Sequence, residues 1–228
     1  AAIAALQPDG VILTPPHSEN PLITGFLAKR KIPFARIGSV TSGPGIAMTM
    51  DDEGSARRAT EHLIALGHSR IGFIAGPKEY DLSNWRIDGW REAMTSAGLS
   101  CDALCVRGDF GYDSGVLAAN ALLDLQDPPT AIIGSNDQMT LAALDAAKAR
   151  GLHIPGDLSL ISFDNTPVVR FTVPELTAVD QPIAATFSKA VELLITNGDA
   201  LVPHQPVVIE GSLIERSSTA PPSAHGRA

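Results

Sequence analysis

Asp51-Asp52-Glu53-Gly54-Ser55-Ala56-Arg57-Arg58-Ala59-Thr60-Glu61-His62-Leu63-Ile64-Ala65-Leu66-Gly67-His68-Ser69-Arg70-Ile71-Gly72-Phe73-Ile74-Ala75-Gly76 carries two patterns in succession. In the first part Ala56, Ala59, Leu63 and Leu66 recur at the three- and four-residue spacing that places them on one face of a helix. Gly67 follows at the position where a helix commonly ends on a left-handed residue. Ile71 to Ala75 is then apolar without alternation, as a strand buried on both faces must be.

The same succession repeats downstream. Strand-like runs occur at Leu104–Arg107, Ala131–Gly134 and Leu158–Phe163, each separated from the last by enough chain for a crossover helix. Ile87, Trp90 and Met94 make one helical stripe, and Met139, Ala143 and Ala146 another; Gly98 and Gly151 stand at their expected ends. Pro128-Pro129 and Pro155-Gly156 mark returns into the next strand. This alternation predicts an α/β fold with a parallel sheet flanked by helices. The first 49 residues predict a smaller piece of the same kind: the end of a helix over Ala1–Gln7, strands at Val11–Thr14 and Phe34–Ile37, and a helix over Leu22–Lys29 between them. A doubly wound lobe has its early strands at the sheet centre, so this first lobe is expected to be truncated, without its opening strand-helix-strand. A last helix with Ile183, Phe187, Ala190 and Leu194 on one side precedes a final strand pair, Val207–Ile209 and Leu213–Ile214. Residues 220–228, with two prolines and no apolar periodicity, are expected to be a disordered tail.

Composition narrows the function. The 228 residues are 44% hydrophobic and 18% charged, which is globular, and 17 Lys and Arg stand against 25 Asp and Glu. With a net charge of -8 and no basic run, this stretch lacks the clustered positive face that phosphate neutralisation requires. No apolar stretch reaches membrane-spanning length, and Ala1-Ala2-Ile3 does not resemble the start of a signal peptide, so no membrane partner and a cytoplasmic location are expected. Cys101 and Cys105 lack a second ligand pair, the histidines form no ligand set, and neither a metal nor another cofactor is expected. There is no G-x-S-x-G elbow and no G-x-G-x-x-G after a strand. Asp51-Asp52 sits at a helix start, where the dipole favours negative charge. An enzyme is not expected.

The opening stretch resembles the corresponding segment of the lactose/galactose repressor (LacI/GalR) family. Arg86-Ile87-Asp88-Gly89-Trp90, Gly108-Asp109-Phe110, Ser135-Asn136-Asp137, Gly151 to Ser159, Phe163-Asp164-Asn165 and Pro174 to Pro182 follow in that family's order, together covering about residues 8 to 219. The resemblance implies two flavodoxin-like lobes joined by three crossovers, of the periplasmic-binding-protein type. The lobes would be 1–49 plus 183–203, and 50–180 plus 206–219. It also implies a small-molecule effector held between the lobes, a saccharide ahead of a purine, and a homodimer. Operator DNA would be bound only through a helix-turn-helix headpiece that this sequence does not contain. The alternative reading is a sugar-binding protein of an ABC transport system.

For the effector site, residue chemistry and resemblance point the same way. Arg86, just past the loop after the Ile71 strand, offers fixed donors for vicinal hydroxyls or a carboxylate and is expected on the rim in contact with the effector; the alternative is a solvated first-turn arginine or one paired to Asp88. Asn136 and Asp137 open a helix: Asn136 is expected to contact the effector and Asp137 to cap the helix. Asp164 ends the next strand, where a carboxylate can accept from two hydroxyls. Phe110 offers a ring face to a pyranose or purine, with Trp85 and Tyr80 as weaker candidates. In the first lobe Thr14 and Met50 are the candidates. Gly38-Ser39 stands where many sugar-responsive members carry an acid, which argues against a lactose-like pocket.

Overall fold

The computed structural model describes residues 8–196 and 205–223. The expected helix over Ala1–Gln7 and the end of the tail lie outside them. The chain forms two compact units, 1–51 with 182–210 and 52–181 with 211–228, and so changes unit three times. Among the described residues no helix is long and apolar enough to cross a membrane.

The first unit is built on four parallel strands in the order β1 (Val11–Leu13), β2 (Phe34–Ile37), β3 (Ile46–Met50) and β9 (Val207–Ile209). Helix α1 (Pro21–Lys29) starts with proline in its first turn behind Asn20, whose side chain accepts from the Leu22 N–H. Leu27 of α1 packs with Leu13 and Phe34, while Ala190 of α6 (Ile183–Thr196) packs with Ala35, Ile46 and Met48. Alternate residues of β2 therefore serve different helices, as the pleat requires.

The second unit holds a six-stranded sheet, with β10 (Ser212–Ile214), β8 (Thr177–Asp180), β7 (Ser159–Asp164), β6 (Ala131–Gly134), β4 (Ile71–Ala75) and β5 (Cys105–Arg107) in that spatial order. All neighbours run parallel except the β10–β8 pair. The four strands of this unit predicted from apolar runs form within a residue of their expected bounds, because β4 and β6 are buried along their whole length and β7 nearly so. Helices α4 (Tyr112–Leu123) and α5 (Asp137–Ala149) cover one face, sharing a core with Ile74, Ile132, Leu160 and Ala178. On the other face α2 (Asp52–Ala65) packs against α3 (Asp81–Ser96), whose Trp90 stands 5.8 Å from Phe73 and donates its indole N–H to the Ile71 carbonyl. That helix pair is very close: a Cβ on Gly89 would lie 2.0 Å from the Glu53 carbonyl oxygen. Gly67, Gly98 and Gly151 all take positive φ at their helix ends, as the sequence predicts.

Two expectations need correction. Val207–Ile209 and Leu213–Ile214 do not pair with each other. β9 joins β3 in the first unit and β10 joins β8 in the second, the chain crossing between Glu210 and Gly211. Ala220, expected in the disordered tail, is tied to the body: its carbonyl accepts from His68 Nε2 and Ser159 Oγ, and its N–H donates to Ser159 Oγ. An extended segment without its own periodicity is held here by side chains from elsewhere in the fold.

Candidate functional site

The carboxyl ends of β4, β5, β6 and β7 lie along one edge of the second unit's sheet; Gly76, Gly108 and Ser135 stand just beyond the first three, and Asp164 is the last residue of β7. In open parallel sheets this is where ligands bind. Arg86, on the second turn of α3, reaches this edge from the side. Its Nε donates to Asp52 Oδ1 at 2.7 Å, its Nη1 donates to the Ser135 carbonyl, and its guanidinium lies 4.4 Å from the centre of the Phe163 ring. Arg86 is therefore not a solvated rim residue. It is 2% exposed, against a carboxylate that is 6% exposed. Desolvating this pair is tolerable because the guanidinium is bonded on two sides and stacked on a third.

Asp164 ends β7 in a left-handed conformation, φ +93°, and accepts from Gln181 Nε2. Burial pushes its carboxyl pKa up; Arg86 opposes that shift, and the negative charges of Asp137 and Asp52 add to it. Asp164 thus lies in the field of Arg86 and, among the described residues, makes no ion pair with it, which leaves carboxylate lone pairs for a ligand.

The helix cap expected of Asp137 is made by Asn136. Asn136 is the N-cap of α5, its Oδ1 accepting from the Met139 N–H at 2.9 Å, while its Nδ2 donates to the Phe110 carbonyl at 2.8 Å. Each amide atom keeps one further hydrogen-bonding position, so capping and a ligand contact are compatible. Asp137 is buried and accepts from Ser162 Oγ, Thr166 N–H (2.8 Å) and Thr166 Oγ1 (2.6 Å). A carboxylate in the first turn suits the helix dipole, and here it also clamps the loop that follows Asp164.

Phe110 adopts φ +69° and lies directly over Gly76, where a Cβ would stand 2.2 Å from the ring. Tyr80 meets it edge to face, the ring centres 5.8 Å apart. Trp85, next to Arg86, is half-buried. The second unit thus gathers Arg86, Asn136, Asp164, Phe110 and Tyr80 around one sheet edge. Thr14, exposed, and Met50, half-buried, belong to the first unit, following β1 and ending β3 at the carboxyl ends of their own sheet.

The sequence reading missed Asp52, Gln181 and Ser135 as partners of the expected contacts. Asp52 was visible only as an acidic helix start, and nothing over a separation of 34 residues announces that it faces Arg86.

Residues 60–219 match the periplasmic binding protein-like domain. A regulatory protein of the LacI family from Chloroflexus aggregans is 35% identical, with 95% of this chain and 79% of that one covered at a TM-score of 0.84. The chain belongs to the LacI family. A further LacI-family comparison is the HTH-type transcriptional regulator CelR of Thermobifida fusca, 34% identical over 222 residues, with 95% of this chain covered. The chain spans 65% of the length of that curated relative. The solved complex of the transcriptional regulator CelR with cellobiose is 33% identical, covers 95% of this chain and 68% of that one, and has a TM-score of 0.82. This LacI-family chain therefore has transcriptional regulators, rather than enzymes, among its relatives.

Proposed function

We propose that this chain is the effector-sensing part of a cytoplasmic transcriptional regulator, without catalytic activity, and that its effector is a saccharide. Arg86, Asn136 and Asp164 would bind hydroxyls, Phe110, Tyr80 and Trp85 would cover the apolar face of the sugar ring, and Thr14 and Met50 would be the first unit's contacts. The observation that carries this reading is Asp164, a half-buried carboxylate beside Arg86 at the carboxyl edge of a parallel sheet. An acceptor in a cationic field, next to amide and aromatic groups, suits neutral polyhydroxyl compounds better than anions, which the surrounding Asp52 and Asp137 would repel. The solved complex of the regulator CelR with cellobiose supports the same class.

Regulation would follow by population shift: an effector that binds one conformational state better than another changes the operator affinity of a headpiece, and a homodimer would match a two-fold operator. The test is a thermal-shift screen of mono- and disaccharides, cellobiose among them, with nucleosides and purines alongside. A saccharide present at about 100 times its Kd adds about 2.7 kcal/mol to stability, a rise of several degrees in Tm. A shift by purines or nucleosides alone would replace the saccharide with that class, and no shift by any would remove the sensor reading.

A further inference from the structure

Residues 215–223 form neither helix nor strand, yet they lie as a strap across the amino ends of β7 and β8. The Leu160 N–H donates to the Ser218 carbonyl at 2.8 Å, Ser218 Oγ donates back to the Leu160 carbonyl, and the Thr177 N–H donates to Ser218 Oγ. The next two residues are held by side chains: Thr219 by His62 and Thr177, and Ala220 by His68 and Ser159.

His68 is 2% exposed and its ring is bonded through both nitrogens. Nε2 lies 2.9 Å from the Ala220 carbonyl oxygen, which can only accept, so Nε2 carries the proton. Nδ1, 2.8 Å from Thr130 Oγ1, is then the acceptor of a neutral ring. A second proton would charge a buried group, and the surroundings offer little to offset it. On α2, His62 faces Glu215 at 3.8 Å. Arg70, ahead of β4, lies 3.0 Å from Asp127, ahead of β6. Asp157, ahead of β7, accepts from the His153 N–H, and Glu175, ahead of β8, lies 3.7 Å from Arg216 of the strap. Among the described residues no carboxylate bonds His68. Burial holds its pKa below the ordinary 6.5, with His62 adding to the shift and the Ala220 carbonyl opposing it.

We infer that His68 is a proton-sensitive latch: the neutral ring holds the strap on the amino edge of the second sheet, and acid releases it. The sign follows from the direction of the shift. The latched form binds fewer protons than the released one, so closure is complete above pH 6.5 and weakens as pH falls below it, by at most about tenfold per pH unit for one proton. This edge is opposite the one that carries Asp164, so the inference is independent of the effector.

Amide hydrogen exchange of the whole chain at about pH 7.5 and about pH 5.5 tests it, read as protection factors so that the intrinsic pH dependence of exchange drops out. The Leu160 and Ala220 amides report the strap, and the Phe73 amide in β4 reports the sheet. In the wild type, protection at Leu160 and Ala220 should fall several-fold at the lower pH, with about tenfold as the limit for one proton, while Phe73 holds. His68→Gln keeps an N–H donor for Ala220 and cannot be protonated, so it should abolish the fall; His62→Gln should keep it. A wild type in which the strap amides lose no more protection than Phe73 would overturn the latch, as would a folded His68→Gln with the wild-type fall or a His62→Gln without it. NMR titration of the His68 ring protons in the wild type needs no variant: a pKa at or above 6.5 would also overturn it.

Discussion

Arg86→Ala is expected to lower the stability of the chain by about 3–5 kcal/mol, the range for removing one partner of a buried ion pair. The guanidinium does three things at once: it neutralises Asp52, satisfies the Ser135 carbonyl and stacks on Phe163. Alanine would leave a 6% exposed carboxylate facing a void and strip a donor from a buried carbonyl. For a chain of this size that loss corresponds to a fall in Tm of roughly 6–20 °C. Arg86→Lys should recover only part of it, because an ammonium on a flexible stem cannot reproduce the fixed fork. Thermal melts of the three proteins decide the matter. A fall of less than a degree or two for the alanine variant would mean that Arg86 is a solvated side chain and that the buried pair does not form. Because this variant changes the scaffold as well as the site, it is a poor probe of ligand binding.

Asp137→Ala is expected to cost about 3 kcal/mol, since it orphans three donors and hydrogen bonds to a charged group contribute about 1.5–3 kcal/mol each without adding fully. The donors are Ser162 Oγ, Thr166 N–H and Thr166 Oγ1, so the damage should be local to the loop after β7. Hydrogen exchange at the Thr166 amide is the specific readout: it should accelerate in the variant by far more than amides of β4. Uniform acceleration across the sheet would mean global destabilisation without a clamp, and unchanged exchange at Thr166 would mean that Asp137 does not hold the loop.

How far the sequence carried the fold depended on burial. β4, β6 and β7 are covered by helices on both faces, so their apolar runs are continuous and unambiguous. β3, with its Ile-Ala-Met-Thr-Met run, and β8, only four residues long, were not singled out, because short runs with mixed residues lack a period to detect. β9 and β10 were recognised as strands but mispaired, since closeness in sequence suggests a hairpin and only the tertiary fold shows that Glu210 and Gly211 belong to different units.

At the site, the residue types and their place after strand ends were legible; their environments were not. Asn beside Asp at a helix start leaves open which one caps, and the answer came from Thr166 and Phe110, both remote in sequence. Arg86 at a strand end suggested exposure, whereas the proximity of Asp52 and Phe163 buries it. Hydrophobic periodicity reports which face of an element is covered, not which polar groups meet across the core.

The central claim, that the carboxyl edge of the second sheet binds an effector through Asp164, is tested most directly by titration calorimetry. The saccharide giving the largest shift in the screen is titrated into wild type and Asp164→Asn. Asparagine keeps an oxygen for Gln181 and tolerates the left-handed backbone at this position, so the melting temperature should hold within a few degrees. What disappears is the charged acceptor, and affinity should fall by about 1.5–3 kcal/mol, or roughly ten- to a hundredfold. Equal affinity in the two proteins, with the fold intact, would contradict the account and place the effector elsewhere.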